Sequence, residues 1–358
     1  MRDLTIMSHR GPYPVRFGPA FDGIADGLAA GQHLVIDSRV ADLYAGALAA
    51  PLASPSTLRI EATEANKSLE RMADYVLHLL EHGIRRDHTL VAVGGGIIQD
   101  IVCFMAATLL RGLPWTFHPT TLLAQADSCI GSKSSINVGR HKNQLGTFTP
   151  PADILISTDV LDTLDPVDLR SGLGEVIKVH VLSGWEDTRR LLGDYQRLVT
   201  DRALLQGYIR RSLEIKKALI EIDEFDQGDR LILNYGHTFG HAIESCTRFA
   251  VPHGIAVTIG MDMANFAAWR LGLAERQVYD EIHPVLAANY AGFERAAITT
   301  DDLVRALGKD KKNIGRDVVL ILPREPGMMI RHQVTDAAKL RTICDEFLVC
   351  LRGDAARS

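Results

Sequence analysis

The first half of the chain alternates between short apolar runs and segments whose apolar residues recur at helical spacing. Continuous apolar runs at His33–Ile36, Thr89–Val93 and Trp115–His118 predict strands buried in a parallel sheet. Leu69–Leu80 has apolar residues at helical spacing, and a second, apolar helix is expected over about Ile97–Leu110. This order of strand, helix and strand predicts an α/β domain built from βαβ units.

Helical periodicity dominates the second half of the chain, after the Pro150-Pro151 pair. The helices predicted there are Ser171–Leu182, Leu204–Ile222, His237–Cys246 and Val257–Leu271. A late apolar run, Val318–Leu322, predicts a strand, so the second half is not purely helical. The change in character predicts a domain boundary near residues 155–165.

The composition is that of an ordinary globular protein. The chain has 358 residues, of which 46% are hydrophobic and 23% charged, enough for the cores of two domains. Its net charge of −5 gives no basic surface for a nucleic acid. Five cysteines without a CxxC pair argue against a disulfide framework and a cysteine zinc finger. No apolar run reaches the roughly 18 residues of a membrane span, and the polar N-terminus is unlike a signal peptide. We therefore expect a cytoplasmic protein that binds neither nucleic acid nor membrane.

A glycine triplet, Gly94–Gly96, joins a predicted buried strand to a predicted helix. Glycines at such a junction let the backbone approach a ligand, and the helix N-terminus offers free N–H groups to a phosphate. The triplet does not match GxGxxG, so the usual dinucleotide fingerprint is absent. A tight turn needed only for packing explains the triplet equally well.

Three histidines and a carboxylate suggest a metal site in the second half. His237 and His241 lie four residues apart on one face of a predicted helix, and His253 follows beside loop-forming residues. Glu175 is the candidate carboxylate, and zinc suits a mixture of nitrogen and oxygen ligands. The alternatives are one buried and one exposed histidine, and a surface ion pair between Glu175 and Lys178.

Polar residues in the irregular stretch between the two halves form a third candidate cluster. Asp127, Lys133, Lys142 and Asn143 lie in a glycine-bearing segment, which is costly to order unless it binds something. A solvated polar loop is the alternative.

Basic side chains of the second half add further candidates. Lys216 lies on the apolar stripe of its predicted helix, so it either snorkels to solvent or pairs with an anion. Arg230 and Asn234 precede His237 by seven and three residues, so they lie near the histidine face if this segment enters the same helix. The DKKN turn that contains Lys312 is ordinarily a solvated loop.

Taken together, these segments resemble 3-dehydroquinate synthase and its relatives, the sugar phosphate cyclases, from about residue 33 to residue 325. The matching motifs, in chain order, are EANK ending at Lys67, GGGIIQD ending at Asp100, MAATLLRG with Arg111, PTTLLAQADSCIGSK ending at Lys133, HKNQLGTFTPP from His141, SGLGEVIK from Ser171, DRLILNYGHTFGHAIE from Asp229, VPHG with His253, and DKKN from Asp310. Their order and spacing follow the family throughout, so the match is far more specific than any single motif.

The resemblance implies an α/β fold with a Rossmann-like, parallel-sheet, NAD-binding domain at residues 1–158 and a mostly helical metal- and substrate-binding domain at residues 159–358. It implies two cofactors, NAD and a divalent metal, which in the family is usually zinc, with cobalt as the alternative. The implied metal ligands are Glu175, His237 and His253. The implied NAD-site residues are Asp37, Glu64, Lys67, Gly95, Gly96, Asp100, Thr120, Thr121, Lys142 and Thr163.

The same resemblance assigns residues to the substrate. The implied catalytic residues are Asp127, Lys133, Lys178 and His241. The implied substrate-binding residues are Arg111, Asn143, Lys216, Arg230, Asn234 and Lys312, the last preferred over Lys311. Asp226, where relatives carry glutamate, is expected to orient neighbouring basic groups.

The implied reaction is the cyclisation of a phosphorylated seven-carbon sugar. NAD oxidises an alcohol, phosphate is eliminated, the ketone is reduced back, and the opened ring closes to a carbocycle. The foremost expectation is 3-dehydroquinate synthase activity on 3-deoxy-D-arabino-heptulosonate 7-phosphate, a lyase step of the shikimate pathway and aromatic amino acid biosynthesis. Arg111 would reach the phosphate across the interface of a homodimer.

Departures from the family's pattern concern the substrate more than the chemistry. Ile255 replaces the usual glutamate after His253-Gly254, and Ser134 and Ser135 replace threonine and glycine or alanine. The nearest alternative is a cyclase acting on sedoheptulose 7-phosphate or glucose 6-phosphate in secondary metabolism. A metal-dependent polyol dehydrogenase and a non-enzymatic paralogue are the remaining alternatives.

Overall fold

The computed structural model describes residues 3–139, 141–308 and 317–354, which form two compact units. The N-terminal unit comprises the described residues of Met1–Asp165 and Ile209–Asp226. The C-terminal unit comprises those of Pro166–Tyr208 and Gln227–Ser358. The assignment of an NAD-binding function to residues 1–158 and a metal- and substrate-binding function to residues 159–358 stays a prediction.

A mostly parallel sheet lies at the centre of the N-terminal unit, as expected from its apolar runs. The strands of this unit are β1 Leu4–Ile6, β2 Tyr13–Phe17, β3 Gln32–Asp37, β4 Leu58–Ile60, β5 Thr89–Gly94, β6 Trp115–Pro119, β7 Ile136–Val138, β8 His141–Leu145 and β9 Asp153–Ile156. Seven of them pair in the order β1-β2-β9-β6-β5-β3-β4, and only β1 and β2 are antiparallel neighbours. β7 and β8 form a separate antiparallel pair.

Short helices connect these strands. They are α1 Ser38–Leu43, α2 Ala49–Leu52, α3 Leu69–Glu81 and α4 Gly96–Thr108, with a π-helical turn at Ala124–Ser128 and 3₁₀ turns at Leu109–Arg111 and Thr158–Thr163. α4 ends two residues before the predicted Leu110. The helix breaks at Leu109, which is extended with a ψ of 131°, and Leu110 and Arg111 then take left-handed φ angles of 51° and 69°.

The strand order places a topological switch point at β3. Its neighbours β4 and β5 both follow it in the chain and pair with opposite edges of it. In open parallel sheets, ligands bind at such a point, outside the carboxyl ends of the strands. Asp37 ends β3 and Gly94 ends β5, so two of the predicted NAD-binding segments leave the sheet at this point.

The C-terminal unit is mostly helical, as expected. Its elements are α5 Pro166–Ser183, α6 Trp185–Leu198, α7 Arg202–Ile222, the 3₁₀ turn Asp229–Asn234, α8 His237–Cys246, α9 His253–Arg270, α10 Arg276–Tyr290, α11 Thr300–Leu307, the antiparallel strands β10 Val318–Glu325 and β11 Met328–Val334, and α12 Ala337–Asp354. From Ile209 onward, α7 belongs to the N-terminal unit. Among the described residues, no helix combines the length and apolar character needed to cross a membrane.

α9 is the core helix of the C-terminal unit, and two glycines let α5 approach it closely. Residues Gly254 to Ala268 of α9 are all buried, the pattern of a helix surrounded by protein. A Cβ on Gly254 would lie 1.8 Å from the carbonyl oxygen of Ser171, and one on Gly174 would lie 2.3 Å from that of Gly254. The contact therefore holds the residues beside these glycines, Glu175 and His253, near one another.

Candidate active site

The predicted metal ligands Glu175, His237 and His253 come together in the C-terminal unit. One ligand atom from each lies within 4.8 Å of the others. Glu175 Oε1 is 3.5 Å from Nε2 of His253 and 3.7 Å from Nε2 of His237. These three side chains, on α5, α8 and α9, are called the metal cluster below.

Glu175 and Lys178 form a buried ion pair, so the surface-pair interpretation is wrong. Lys178 Nζ contacts Glu175 Oε2, and the two side chains are 2% and 1% exposed. Because the ammonium engages one carboxylate oxygen, the other is directed to the two imidazoles. A buried pair of this kind fixes the carboxylate's orientation.

Glu244 contacts the second nitrogen of His253, a role that the sequence analysis missed. His253 Nδ1 lies 3.2 Å from Glu244 Oε2. A carboxylate at this position orients a metal-binding imidazole and increases its basicity. Ile255, which stands where relatives usually have glutamate, is fully buried. The signal was present in the sequence, because Glu244 follows His237 by seven residues and His241 by three on one helix face.

The electrostatics of the metal cluster suit a divalent cation. Burial opposes a charge on His253, but Glu175 and Glu244 together raise the pKa of its imidazole to about 10. The field that holds a proton there favours a metal cation in its place. One carboxylate and two imidazoles match the ligand set of catalytic zinc sites, which keep a coordination position for substrate. The donor set therefore fits the predicted metal.

His241 lies beside the metal cluster and is exposed. Its ring centroid is 5.4 Å from that of His237 and 5.9 Å from that of His253. His241 also forms an alternative group of three potential ligands with Glu244 and His253. An exposed imidazole at this place can bind an anion or transfer a proton.

Arg230 and Asn234 do not share a helix with His237, so the helical continuity that would place them on the histidine face is absent. They lie in the separate 3₁₀ turn Asp229–Asn234, and Gly236 (φ 78°) breaks the chain direction before α8. A side chain at Gly236 would lie 2.5 Å from Met261 Cγ, so the close approach of α9 requires glycine there. Arg230 is only 3% exposed, and Asn234 Nδ2 donates to the carbonyl of Leu231 at 3.0 Å.

The glycine triplet forms a close approach between β5 and the segment after β6. A Cβ on Gly95 would lie 2.9 Å from Thr121 Cγ2, whereas one on Gly96 would meet nothing closer than 3.8 Å. Thr120 is buried, and its N–H donates to the carbonyl of Gly94 at 2.9 Å. The N-terminal turn of α4, which is open at Gly96, lies at the switch point. Its backbone N–H groups are therefore placed where a dinucleotide phosphate would bind.

Five predicted residues form a lysine network in the N-terminal unit. Lys67 Nζ lies 2.9 Å from Asp100 Oδ2, 3.2 Å from Asn143 Oδ1 and 3.9 Å from Glu64 Oε2. Lys142 Nζ lies 3.2 Å from Glu64 Oε1. Burial raises the pKa of Asp100 to about 6, although Lys67 lowers it. Asn143, predicted to bind substrate, is thus placed among predicted NAD-site residues.

Two further lysines of the N-terminal unit are paired with carboxylates. Lys216 Nζ lies 2.5 Å from Asp127 Oδ1, so the inward lysine of α7 pairs with an anion, as one alternative predicted. Asp127 lies in the π-helical turn, a distortion often found at functional sites. Lys133 Nζ lies 2.6 Å from Asp226 Oδ2, which agrees with the expectation that Asp226 orients a basic group.

The remaining predicted residues lie apart from these clusters or outside the described residues. Asp37 caps α1 by accepting the N–H of Arg39 at 3.0 Å, and burial raises the pKa of its carboxyl. Thr163 Oγ1 lies 3.0 Å from the hydroxyl of Tyr44. Arg111 is exposed at the end of its 3₁₀ turn. Lys312 falls outside the described residues.

Comparison with known proteins identifies the family on both halves of the chain. The family model described as 3-dehydroquinate synthase N-terminal matches residues 57–171, and the one described as 3-dehydroquinate synthase C-terminal matches residues 172–313. A 3-dehydroquinate synthase from Xylella fastidiosa is 35% identical over 96% of this chain and 98% of its own length.

Solved structures of related enzymes share the fold. The 2-epi-5-epi-valiolone synthase from Streptomyces hygroscopicus subsp. jinggangensis, solved with NAD⁺ and Zn²⁺, is 28% identical with a TM-score of 0.82, covering 97% of each chain. A 2-deoxy-scyllo-inosose synthase, solved with carbaglucose-6-phosphate, NAD⁺ and Co²⁺, is 22% identical with a TM-score of 0.81, covering 96% of this chain and 99% of its own. At 22% identity, the second similarity shows the fold alone.

Proposed function

Because the chain belongs to the 3-dehydroquinate synthase family, we propose that it converts 3-deoxy-D-arabino-heptulosonate 7-phosphate to 3-dehydroquinate and phosphate. The observation that carries this proposal is the metal cluster: a buried carboxylate and two imidazoles within 4.8 Å of one another, in a family of NAD- and metal-dependent lyases. When bound, NAD supplies reversible hydride transfer and the divalent metal supplies Lewis-acid polarisation of a substrate hydroxyl.

In the C-terminal unit, Glu175, His237 and His253 would hold zinc or cobalt. Lys178 balances the charge of Glu175 and keeps its carboxylate oriented. His241, exposed beside these ligands, is proposed to position the phosphate and to assist proton transfer. Arg230 is proposed to bind the substrate carboxylate, helped by Asn234, because arginine holds a carboxylate bidentately.

In the N-terminal unit, the switch point and the lysine network would hold NAD. The residues proposed for this role are Asp37, Glu64, Lys67, Gly95, Gly96, Asp100, Thr120, Thr121, Lys142 and Thr163. Asp127, Lys133, Asn143 and Lys216 are proposed to face the substrate, together with Lys312. The proposal includes NAD binding by residues 1–158, metal and substrate binding by residues 159–358, a cytoplasmic location and a homodimer in which Arg111 serves the partner subunit.

A cyclase for a sugar phosphate without a carboxylate is the second candidate. The similarity to 2-epi-5-epi-valiolone synthase, at 28% identity over 97% of the chain, favours it. The higher identity to 3-dehydroquinate synthases, 35% over 96% of the chain, and the buried Arg230 favour the carboxylated substrate.

The test is phosphate release from 3-deoxy-D-arabino-heptulosonate 7-phosphate, sedoheptulose 7-phosphate and glucose 6-phosphate, followed by identification of the cyclised product. The carboxylated sugar should release phosphate fastest. NADH absorbance should not rise as phosphate is released. Accumulation of one NADH per turnover would instead support a dehydrogenase. A clear preference for sedoheptulose 7-phosphate would transfer the assignment to the second candidate.

Removal of Arg230 tests carboxylate recognition directly. Loss of a charge-assisted pair costs about 1.5–3 kcal/mol, so Arg230→Ala should lower kcat/KM for the carboxylated sugar roughly ten- to a hundredfold. For sedoheptulose 7-phosphate, which lacks the carboxylate, kcat/KM of the same variant should fall far less. Equal losses on both sugars would show that Arg230 supports the fold rather than the substrate.

A further inference from the structure

The backbone beside the Lys133–Asp226 ion pair is strained on both sides. Ser132 and Asp226 have φ angles of 64° and 59°, in the left-handed region that few residues other than glycine adopt. Such conformations persist where the surrounding structure holds them, and they cluster at functional sites. Something must therefore hold these two segments in place.

One carboxylate, that of Glu224, links the two strained segments. Ser132 Oγ donates to Glu224 Oε1 at 2.9 Å, and Glu224 lies two residues before Asp226. The same carboxylate accepts the backbone N–H of His9 at 2.7 Å, and its Oε1 lies 3.0 Å from Nδ1 of the His9 ring. The Glu224 side chain is only 10% exposed, so these hydrogen bonds are shielded from competition by water.

His9 lies in the turn between β1 and β2, which is itself well anchored. Ser8 Oγ donates to the carbonyl of Gly11 at 2.7 Å, and the N–H of Gly11 donates to the carbonyl of Ser8 at 3.0 Å. The N–H of Met7 donates to Glu221 Oε1 at 2.8 Å, three residues before Glu224. Since β2 pairs with β9 in the central sheet, the turn is a rigid support for the end of α7.

We infer that Glu224 is a positioning residue for Lys133 and Asp226, and that the β1–β2 turn holds Glu224 through His9. The inference rests on the proposed function, which assigns Lys133 to the substrate. Loosening this link would lower the fraction of molecules in which Lys133 is correctly presented. Apparent substrate affinity falls by that fraction, whereas saturating substrate restores the competent state.

Ser132→Ala tests the link without changing Lys133, Asp226 or the chain length. Losing a hydrogen bond to a charged group should raise KM for 3-deoxy-D-arabino-heptulosonate 7-phosphate about tenfold, with kcat changed less than about twofold. Ser132→Gly removes the same hydroxyl but relieves the left-handed strain, so it should raise KM similarly even if the alanine variant folds poorly. His9→Ala should have a smaller effect because the backbone N–H contact to Glu224 remains.

Glu221→Gln is the matched control. Glu221 holds the same turn through Met7 and pairs with Lys217 at 2.5 Å, but it contacts neither Ser132 nor Lys133 in the structure. The KM of Glu221→Gln should stay at the wild-type value. A fall in kcat at constant KM in both Ser132 variants, or an equal rise of KM in Glu221→Gln, would overturn the inference.

Amide hydrogen exchange separates this inference from the proposed function. Residues 131–134 and 224–227 should exchange faster in Ser132→Ala than in wild type, and at the wild-type rate in Glu221→Gln. Unchanged exchange in Ser132→Ala would overturn the inference even if the enzyme is a cyclase. Wild-type protein that releases no phosphate from any of the three sugars would overturn the proposed function, while the exchange rates still decide whether Glu224 holds the two segments.

Discussion

The two units arrange their charged side chains differently. In the N-terminal unit, three lysines each have a carboxylate within 2.9 Å: Lys67 with Asp100, Lys216 with Asp127, and Lys133 with Asp226. In the C-terminal unit, both imidazoles of the metal cluster lie near Glu175 Oε1, Lys178 contacts Glu175 Oε2, and Glu244 contacts the second nitrogen of His253.

The difference suggests that the two regions are prepared for ligands of opposite charge. Paired lysines are held in place before an anion arrives, and for the buried Lys67 and Lys216 the partner carboxylates also limit the cost of burial. At the metal cluster, the carboxylates of Glu175 and Glu244 instead raise the pKa of His253 to about 10, although burial opposes its charge. The same carboxylates favour a bound cation, which a divalent metal would supply.

The largest effect is expected from removing the carboxylate of the metal cluster. Glu175→Gln preserves the shape of the side chain but removes the charge that faces both imidazoles. Loss of the metal's Lewis acidity, worth several kcal/mol, should lower turnover by about a thousandfold. Metal content measured by elemental analysis should fall in parallel with activity.

An exposed glutamate provides the control for that variant. Glu186 is 87% exposed and pairs with Arg190 on the surface of α6, so Glu186→Gln should retain both metal and turnover. Chelation of wild-type protein should abolish turnover, and zinc or cobalt should restore it. Full activity of metal-stripped wild-type protein would refute the metal assignment.

Breaking the Lys67–Asp100 pair of the N-terminal unit should lower the free energy of unfolding by an amount that depends on pH. Asp100, with its pKa raised to about 6 by burial, keeps a proton that the unfolded chain has lost, so stability falls as pH rises through about 4 to 6. Lys67→Met removes the group that lowers this pKa, so the fall continues to higher pH. Removing one partner of a buried pair should cost about 3 kcal/mol at pH 8. Much of that loss should be recovered at pH 5, where Asp100 is protonated.

Urea unfolding of wild type and Lys67→Met at pH 5 and pH 8 measures this effect. The double variant Lys67→Met/Asp100→Asn removes the titrating carboxyl and should lose the added pH dependence. Equal destabilisation of Lys67→Met at both pH values would mean that packing of the lysine stem, rather than its charge, is what matters.

The sequence predicted what depends on local patterning and failed where distant segments meet. Buried strands such as Thr89–Gly94 and the helix Leu69–Glu81 carry their own periodicity, and the order of the motifs singled out the three residues that meet in the metal cluster. The three-residue strand Leu4–Ile6 is too short to show a period, so the β1–β2 hairpin was missed. The contact between Glu244 and His253 was missed because it depends on how α8 packs against α9.

A smaller effect is expected from Glu244, which supports the metal cluster without belonging to it. Carboxylates that orient metal-binding histidines typically change metal affinity by about 10- to 100-fold. Glu244→Gln should therefore weaken zinc binding by about tenfold, measured by competition with a chromogenic chelator, and leave turnover at saturating zinc nearly intact. Loss of turnover at saturating zinc would place Glu244 in direct contact with substrate.

The smallest effect is expected from Lys142, the more exposed partner of Glu64. Burial opposes ionisation of Glu64, but Lys67, Asn137 and Lys142 together lower the pKa of its carboxyl. Lys142 and Glu64 are 29% and 44% exposed, so water weakens their attraction and Lys142→Met should cost less than about 1 kcal/mol of stability. Since Lys67 is only 7% exposed, the two lysine variants compare a shielded and a solvated cation in one network. If Lys67→Met and Lys142→Met destabilise the protein equally at pH 8, the burial of the two lysines does not set their contributions to stability. The contrast between paired lysines and the metal cluster must then rest on charge alone.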